Sequence, residues 1–142
     1  MLERTSCYIL LVEDNPVDTD LIRLAIQKTE LPVSFDVACD GEEALSYLER
    51  WEKGSPTPIV ILLDLKLPGV SGLEVLKQLK AHPRYRVLPV VILTSSTKAD
   101  DIRQAYELGA NSYILKSIDY DQFSSAVSLI HHYWCGLNVR PE

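Results

Sequence analysis

The sequence predicts an α/β protein with a doubly wound, five-stranded parallel sheet, in which a strand and a helix alternate five times. Two unbroken apolar runs, residues 7–12 and 59–63, have the length and β-branched content of strands buried on both faces. Each run ends in acid, Glu13 and Asp14 after the first and Asp64 after the second. Segments with helical apolar spacing follow each run after short connections, and this order favours parallel strands.

The first two strand–helix units are marked by their capping and turn residues. After the run at 7–12, Asn15 is placed as an N-cap, with Pro16 at the first helical position. Residues 33–38 alternate between apolar and polar, which is typical of an edge-like strand. Asp40 and Gly41 then turn into a second helix.

The other three units follow by the same reasoning. They comprise strands at 59–63, 90–93 and 112–115, and helices at 73–81, 100–108 and 120–134, with Gly109 closing the fourth helix. We expect one domain over residues 5–136, with terminal tails at 1–4 and 137–142.

Composition excludes several classes of function. The chain has 142 residues, 46% of them apolar and 24% charged, which suits a globular domain with a real core. Its net charge of −6 argues against nucleic acid as a partner. Neither a membrane-spanning run nor a signal peptide is evident in the sequence, so we expect no membrane association and a cytoplasmic location.

The cysteines and the paired histidines predict nothing functional. Cys7, Cys39 and Cys135 are far apart and odd in number, which indicates reduced core thiols rather than a disulfide framework or a metal site. His131 and His132 are expected on the surface, because adjacent helical positions diverge and make a poor metal pair.

Reactive side chains stand at the ends of four predicted strands: Glu13 and Asp14, Asp64, Thr94, and Lys116. In a parallel sheet these ends share one edge, so the groups should cluster. Three clustered carboxylates repel one another unless a cation intervenes. Lys116 offsets one charge, and the remaining oxygens suit Mg²⁺, which prefers oxygen ligands and sites completed by phosphate.

This set of groups favours phosphoryl transfer to a carboxylate. Asp64 beside Mg²⁺ could attack a phosphoryl group and become an acyl phosphate, with the metal screening the repulsion between the two anions. Lys116 would neutralise one phosphoryl oxygen, and the Thr94 hydroxyl would donate a hydrogen bond to another.

The motifs together resemble the response-regulator receiver domain of two-component signalling, which has a flavodoxin-like fold. They are Val12-Glu13-Asp14-Asn15, Leu63-Asp64-Leu65-Lys66-Leu67-Pro68 with Gly72, Thr94-Ser95, and Tyr113 three residues before Lys116. The resemblance covers nearly the whole chain, in the right order. Leu-Leu-Asp-Leu-Lys-Leu-Pro at 62–68, the Lys116-Ser117 pair and the aromatic pair at 133–134 are most similar to stand-alone receivers paired with cyanobacterial phytochromes.

The resemblance implies a role for each acidic-site residue. Asp64 would accept phosphate from the phosphohistidine of a histidine kinase. Asp14 and Asp64 would bind Mg²⁺ through their side chains. Lys66 would contribute its backbone carbonyl, and Glu13 would act mainly through water.

The resemblance also implies how a phosphoryl group is held and sensed. Thr94 and Lys116 would hold it, and Tyr113 would be a switch aromatic that turns inward when Thr94 moves toward the phosphate. A half-buried strand tyrosine that never moves is the simpler interpretation of Tyr113. Receivers usually have proline after the lysine, often with a cis bond, whereas Ser117 stands here and does not share proline's low cost of a cis bond.

The resemblance implies two partners, a histidine kinase and an unidentified downstream protein. The similarity to receivers paired with cyanobacterial phytochromes implies a kinase of phytochrome type. Since the receiver fills the chain, we expect no output domain and action through protein contacts. A homodimer through the face of the fourth helix, fifth strand and fifth helix is also expected.

Two other functions compete for the same residues. A Mg²⁺-dependent aspartyl-phosphate phosphohydrolase of the haloacid dehalogenase type expects a second acid two residues after the nucleophile, where this chain has Lys66. Flavin binding needs a hydroxyl- and glycine-rich loop after the first strand, where Glu13 and Asp14 would repel a phosphate. We therefore expect a protein that catalyses only its own phosphorylation and dephosphorylation.

Overall fold

A computed structural model describes residues 7–28 and 33–141 and contains five strands and five helices in this part of the chain. The strands are β1 Cys7–Val12, β2 Val33–Ala38, β3 Val60–Leu63, β4 Val90–Thr94 and β5 Ser112–Leu115. The helices are α1 Pro16–Gln27, α2 Gly41–Glu52, α3 Gly72–Ala81, α4 Ala99–Glu107 and α5 Tyr120–His132. A 3-10 turn, Tyr85–Val87, precedes β4, and a π-helical turn, Tyr133–Leu137, follows α5.

The five strands form one parallel sheet in the order β2-β1-β3-β4-β5, which confirms the predicted fold. The strand predicted as edge-like, β2, lies at one edge and β5 lies at the other. The register pairs Val12 with Leu63, and Leu63 with Ile92. β1 and β3 therefore end level with each other, and β4 continues two residues further, to Thr94, at the same edge of the sheet.

Two apolar layers sandwich the sheet, because alternate residues of a strand face opposite sides. One layer joins β1, β3 and β4 to α1 and α5 through Ile9, Leu11, Val60, Leu62, Leu93, Ile22, Ile26, Phe123 and Val127. The other joins the same strands to α2, α3 and α4 through Leu10, Val12, Ile61, Leu63, Ile92, Tyr47, Leu76 and Ala105. The central strands are buried on both faces, as their unbroken apolar runs predict.

The helix ends follow the predicted caps except at α5. The Asn15 side chain accepts hydrogen bonds from the first turn of α1, and Gly109, with φ of 105°, follows the last turn of α4. The predicted last helix, 120–134, changes at His132 into the wider π-helical turn. The amide of Asn138 closes that turn by donating to the carbonyl of Tyr133 at 2.7 Å. The spacing of apolar residues does not reveal this change from an α-helix to a π-helical turn.

The structure corrects the predictions for the cysteines and for one histidine. Cys7 and Cys135 form a disulfide, and Cys39 is exposed, so none of the three is a reduced core thiol. His131 is fully buried, whereas His132 is exposed as predicted. The fold causes both differences, since α5 returns the chain to the start of β1 and turns His131 toward the core.

None of the described helices is long and apolar enough to cross a membrane. The predicted boundaries at residues 5 and 136 stay predictions, and residues 1–6 and 142 lie outside the described part of the chain.

Candidate functional site

The reactive side chains predicted from the sequence meet at the carboxyl edge of the sheet. Glu13 and Asp14 follow β1, Asp64 follows β3, Thr94 ends β4 and Lys116 follows β5. The ladder hydrogen bonds continue one residue beyond the strands, from the Asp64 amide to the β1 carbonyl of residue 12 at 3.0 Å and from the Lys116 amide to the Thr94 carbonyl at 2.8 Å. The sheet thus fixes the Cα positions of these residues.

The ammonium group of Lys116 lies at the centre of the acidic cluster. Its Nζ atom is 2.5 Å from Oε1 of Glu13 and 2.8 Å from Oδ2 of Asp64. It also lies 2.8 Å from Oδ2 of Asp18, and the Lys116 side chain is only 12% exposed. Burial acts to lower the pKa of Lys116, but the hydrogen bonds that its ammonium group donates to three carboxylates outweigh burial and raise the pKa above its ordinary value. Lys116 is therefore a fixed positive charge.

Asp18 is a member of this cluster that the sequence reasoning missed. It lies in the first turn of α1, four residues after Asp14, and is half-buried beside Lys116. The signal was present, because Asn15 as N-cap and Pro16 at the first helical position put Asp18 in the first turn of the helix, close to the end of β1.

Three carboxylates could hold a divalent cation. Glu13, Asp14 and Asp64 each offer an oxygen, and these oxygens lie within 4.8 Å of one another. Glu13 and Asp64 are buried, whereas Asp14 is exposed, so the group is open to solvent on one side. Oxygen donors with a solvent-facing side suit Mg²⁺, which takes few protein ligands and keeps several waters.

Glu13 is the carboxylate most affected by burial. Burial is the main cause that raises its pKa to about 7, and the charge of Asp64 raises it further, whereas hydrogen bonding to Lys116 lowers it. The close ammonium therefore offsets only part of the desolvation. Between the ordinary value of 4.5 and the raised value the folded protein binds more protons than the unfolded chain, so the contribution of Glu13 to stability falls as the pH rises.

This raised pKa predicts pH-dependent metal binding. If Glu13 must be ionised to assist the cation, Mg²⁺ affinity should increase by up to roughly tenfold between about pH 6 and about pH 8. Isothermal titration with Mg²⁺ across this range measures the effect, and Glu13→Gln should flatten the profile. If Mg²⁺ affinity changed as steeply with pH in Glu13→Gln, the role of Glu13 in this pH dependence would be contradicted.

Asp64 is held by the loop that follows it. The amide of Lys66 donates to Oδ1 of Asp64 at 3.1 Å, and the amide of Gly72 donates to the carbonyl of Leu65 at 3.0 Å. A Cβ atom on Gly72 would overlap the backbone of both Asp64 and Leu65. Glycine at this position therefore lets the start of α3 pack against the Asp64 loop.

Thr94 and Tyr113 are joined through the loop after β4. Thr94 is fully buried, and its hydroxyl accepts from the amide of Ser96 at 3.4 Å. The half-buried Tyr113 donates its hydroxyl to the carbonyl of Ser96 at 2.9 Å, and burial raises the pKa of Tyr113. The Ser96 hydroxyl in turn donates to Asp101 of α4 at 2.5 Å. A displacement of Thr94 therefore has a route to Tyr113 through the Ser96 backbone and to α4 through the Ser96 hydroxyl.

The peptide bond between Lys116 and Ser117 is trans, as are all peptide bonds between residues that the structure describes. The Ser117 hydroxyl accepts from the amide of Asp119 at 3.1 Å, and Asp119 caps the first turn of α5 by accepting from the amide of Gln122. Serine in place of the usual proline thus helps to start α5.

Comparison with known protein families decides the identity. The response regulator receiver domain family matches residues 9–128, which span all the strand-end residues of the site. The chain belongs to this family.

This receiver is similar to regulators from archaea and cyanobacteria. It is 42% identical to a probable methanogenesis regulatory protein, FilR2, of Methanothrix harundinacea, over 94% of this chain and 86% of FilR2. It is 36% identical to the response regulator Rcp1 of Synechocystis, over 89% of this chain and 87% of Rcp1.

Solved structures show the same relationship. The phosphorylated cyanobacterial phytochrome response regulator RcpA superimposes with a TM-score of 0.91 at 36% identity, over 97% of this chain and all of RcpA. The Mn²⁺-bound form of Rcp1 superimposes with a TM-score of 0.89 at 34% identity, over 96% of this chain and 99% of Rcp1. The protein is therefore a response regulator homologous to the phytochrome response regulators.

Proposed function

We propose that Asp64 accepts a phosphoryl group from the phosphohistidine of a histidine kinase in a Mg²⁺-dependent reaction. The observation that carries this proposal is the meeting of one ammonium group with the carboxylates of Glu13, Asp14 and Asp64 at the carboxyl edge of the sheet. A lone strand-end aspartate would have no means of approaching an anionic phosphoryl group.

The reaction exchanges one bond to phosphorus for another. An Oδ atom of Asp64 forms the new P–O bond while the P–N bond to the kinase imidazole breaks and the electron pair returns to that nitrogen. Lys116 would bind a phosphoryl oxygen as the bond forms, and its distance of 2.8 Å from Asp64 supports this role. The Thr94 hydroxyl, at the end of the next strand, supplies a neutral donor.

The metal would be held by the side chains of Asp14 and Asp64, the backbone carbonyl of Lys66 and, mainly through water, Glu13. The close carboxylate oxygens support this set, and the Mn²⁺-bound form of Rcp1 supplies a precedent in a relative. When bound, Mg²⁺ neutralises the negative charge that Asp64 and the phosphoryl group share.

Phosphorylation would act on the face formed by α4, β5 and α5. Movement of Thr94 toward the phosphoryl group would pull on Ser96, to which both Tyr113 and Asp101 are bonded. Tyr113 and α4 would respond together, and contacts with other proteins would carry the signal. The chain's chemistry would then be confined to its own Asp64, in contrast to an enzyme acting on small phosphate esters.

The kinase is the first partner that this mechanism requires. RcpA is a phytochrome response regulator by name, and it is the basis for proposing a phytochrome-type histidine kinase upstream of this chain. The downstream partner is a protein, because the acidic surface charge does not suit nucleic acid.

Exposed apolar residues on the face of β5 and α5 support a homodimer. Leu115, Ile118, Leu129 and Tyr133 are all exposed, with Leu129 at 70%. Leu129 and Tyr133 also border a groove that Trp134 helps to line. Exposed apolar side chains beside such a groove are typical of a protein interface.

We predict that Leu129→Glu weakens self-association by roughly tenfold or more, because it puts a charge into an apolar contact. Leu24→Glu, on an exposed site of α1, is the matched control and should leave association unchanged. Sedimentation equilibrium with and without acetyl phosphate measures both. A wild-type protein that stays monomeric at high concentration, or an unaffected Leu129→Glu variant, would refute the dimer.

The proposed phosphoryl transfer is tested by incubating the protein with acetyl phosphate or phosphoramidate in the presence of Mg²⁺. We expect an acid-stable, base-labile phosphoryl group and no turnover of small phosphate esters. A protein that takes up no label under these conditions, or that steadily hydrolyses a small ester, would remove this function.

A further inference from the structure

A second cluster of metal-ligating side chains lies at the opposite end of the sheet from Asp64. Cys7 is the first residue of β1, His131 lies in the last turn of α5, and Cys135 lies in the π-helical turn. Their ligand atoms, two sulfurs and one imidazole nitrogen, all lie within 4.8 Å of one another. The length of β1, about 20 Å for six residues, separates this cluster from the acidic edge.

The fold brings these residues together over a long separation in sequence. Cys7 and Cys135 are 128 residues apart, yet their Cα atoms are 5.5 Å apart, because α5 returns beside α1 to the start of β1. Cys7 and His131 are buried, whereas Cys135 is half-buried, so the cluster has a single side that approaches the surface.

The two cysteines form a disulfide in the structure, and a ring nitrogen of His131 lies near both sulfurs. In a reducing compartment, where paired cysteines more often serve metal binding or redox chemistry, the same residues present two thiols and one imidazole. Two thiolates and an imidazole are a preferred ligand set of tetrahedral Zn²⁺, with the fourth position open to solvent or another ligand.

We propose that the reduced protein binds Zn²⁺ through Cys7, His131 and Cys135, and that the disulfide is the oxidised, metal-free form of this site. Reduction by a phosphine gives two thiols and a phosphine oxide, with one water supplying the oxygen atom and both protons. Binding of Zn²⁺ then releases the two thiol protons to solvent. Oxidation by a disulfide such as oxidised glutathione re-forms the Cys7–Cys135 disulfide and releases the metal, and the two glutathione thiolates take up two protons from solvent to become thiols.

The ligands of this site prefer a different metal from those of the acidic edge. Soft thiolates select zinc, whereas the carboxylate oxygens around Asp64 suit Mg²⁺. Both the disulfide and the zinc form tie the π-helical turn to β1. That turn carries Tyr133 and Trp134, so the same cluster holds part of the groove on the α5 face in place.

Cobalt titration of the reduced protein tests the proposal. The protein is reduced with a phosphine, desalted under anaerobic conditions and titrated with Co²⁺ in the presence of excess Mg²⁺, which competes for the acidic edge. We expect a one-to-one thiolate-to-cobalt charge-transfer band with tetrahedral visible bands, and their loss when Zn²⁺ is added. The oxidised protein should give no such band, because its sulfurs are bonded to each other.

Variants assign the ligands. Cys135→Ser, at the half-buried position, should remove the band without loss of fold, and circular dichroism checks the fold. His131→Asn should weaken zinc binding by roughly tenfold or more, whereas Cys39→Ser, at an exposed cysteine outside the cluster, should bind like the wild type. Absence of the band in the reduced, folded wild type, or its persistence in Cys135→Ser, would overturn the proposal.

Discussion

Asp64→Asn is expected to abolish acid-stable, base-labile phosphorylation by acetyl phosphate. The amide oxygen and nitrogen of asparagine keep the size of the side chain but lack the charge that attacks phosphorus. The substitution removes one of the carboxylates paired with Lys116. The variant should stay folded, because the ammonium group keeps Glu13 as a partner at 2.5 Å. Incorporation of labelled phosphate, measured beside circular dichroism, checks both expectations.

Asp20→Asn is the matched control for this experiment. Asp20 lies on α1 with its side chain 73% exposed, outside the cluster, so its replacement should leave labelling unchanged. Full labelling of Asp64→Asn would show that another residue accepts the phosphoryl group.

Lys116→Met is expected to lower the free energy of unfolding by about 3 kcal/mol at neutral pH and to impair phosphorylation. The lysine side chain is 12% exposed and neutralises the buried carboxylates of Glu13 and Asp64, and removing one partner of a buried ion pair leaves charge uncompensated. Urea unfolding of the wild type and the variant, with and without Mg²⁺, measures the loss.

The pH dependence of the Lys116→Met effect has a definite sign. The folded pKa of Lys116 is raised, so its contribution in the wild type is fully present below its ordinary value of 10.5 and is lost only as the pH rises through the folded value. In the variant the carboxyl group of Glu13 loses the ammonium that lowers its pKa and holds its proton more strongly, so the stability deficit of the variant should shrink at acidic pH and on addition of Mg²⁺.

Lys77→Met, at an exposed lysine of α3, provides the control and should unfold like the wild type. A Lys116→Met variant that is as stable as this control at neutral pH, without Mg²⁺, would contradict the role of Lys116 as the counter-charge of the cluster.

The acidic edge was predictable because two simple properties of the sequence determine it. Unbroken apolar runs such as 59–63 indicate buried parallel strands, and topology then places the next residue of every strand at one edge. Asp64 and Lys116 could therefore be paired without any knowledge of side-chain geometry. Asp18 was missed because its contact with Lys116 depends on which side of α1 it faces, and the sequence analysis considered only the cap of that helix.

The Cys7–Cys135 pair lay beyond this reasoning for a different physical reason. The end of a strand can be predicted from the residues around it. The contact between these cysteines, which are 128 positions apart, depends instead on where α5 ends in the folded chain. The burial of His131 has the same origin, since its side of α5 is set by packing against α1 and β1 rather than by its neighbour His132.

Direct mapping of the phosphorylated residue tests the central claim most sharply. Protein labelled by acetyl phosphate is reduced with borohydride, which converts an aspartyl phosphate to homoserine, and is then digested and sequenced by mass spectrometry. We predict homoserine at position 64, only in samples that contained Mg²⁺. Homoserine at another aspartate, or equal modification of Asp64 in the presence of a chelator, would contradict the claim that this metal-assisted edge of the sheet captures phosphorus.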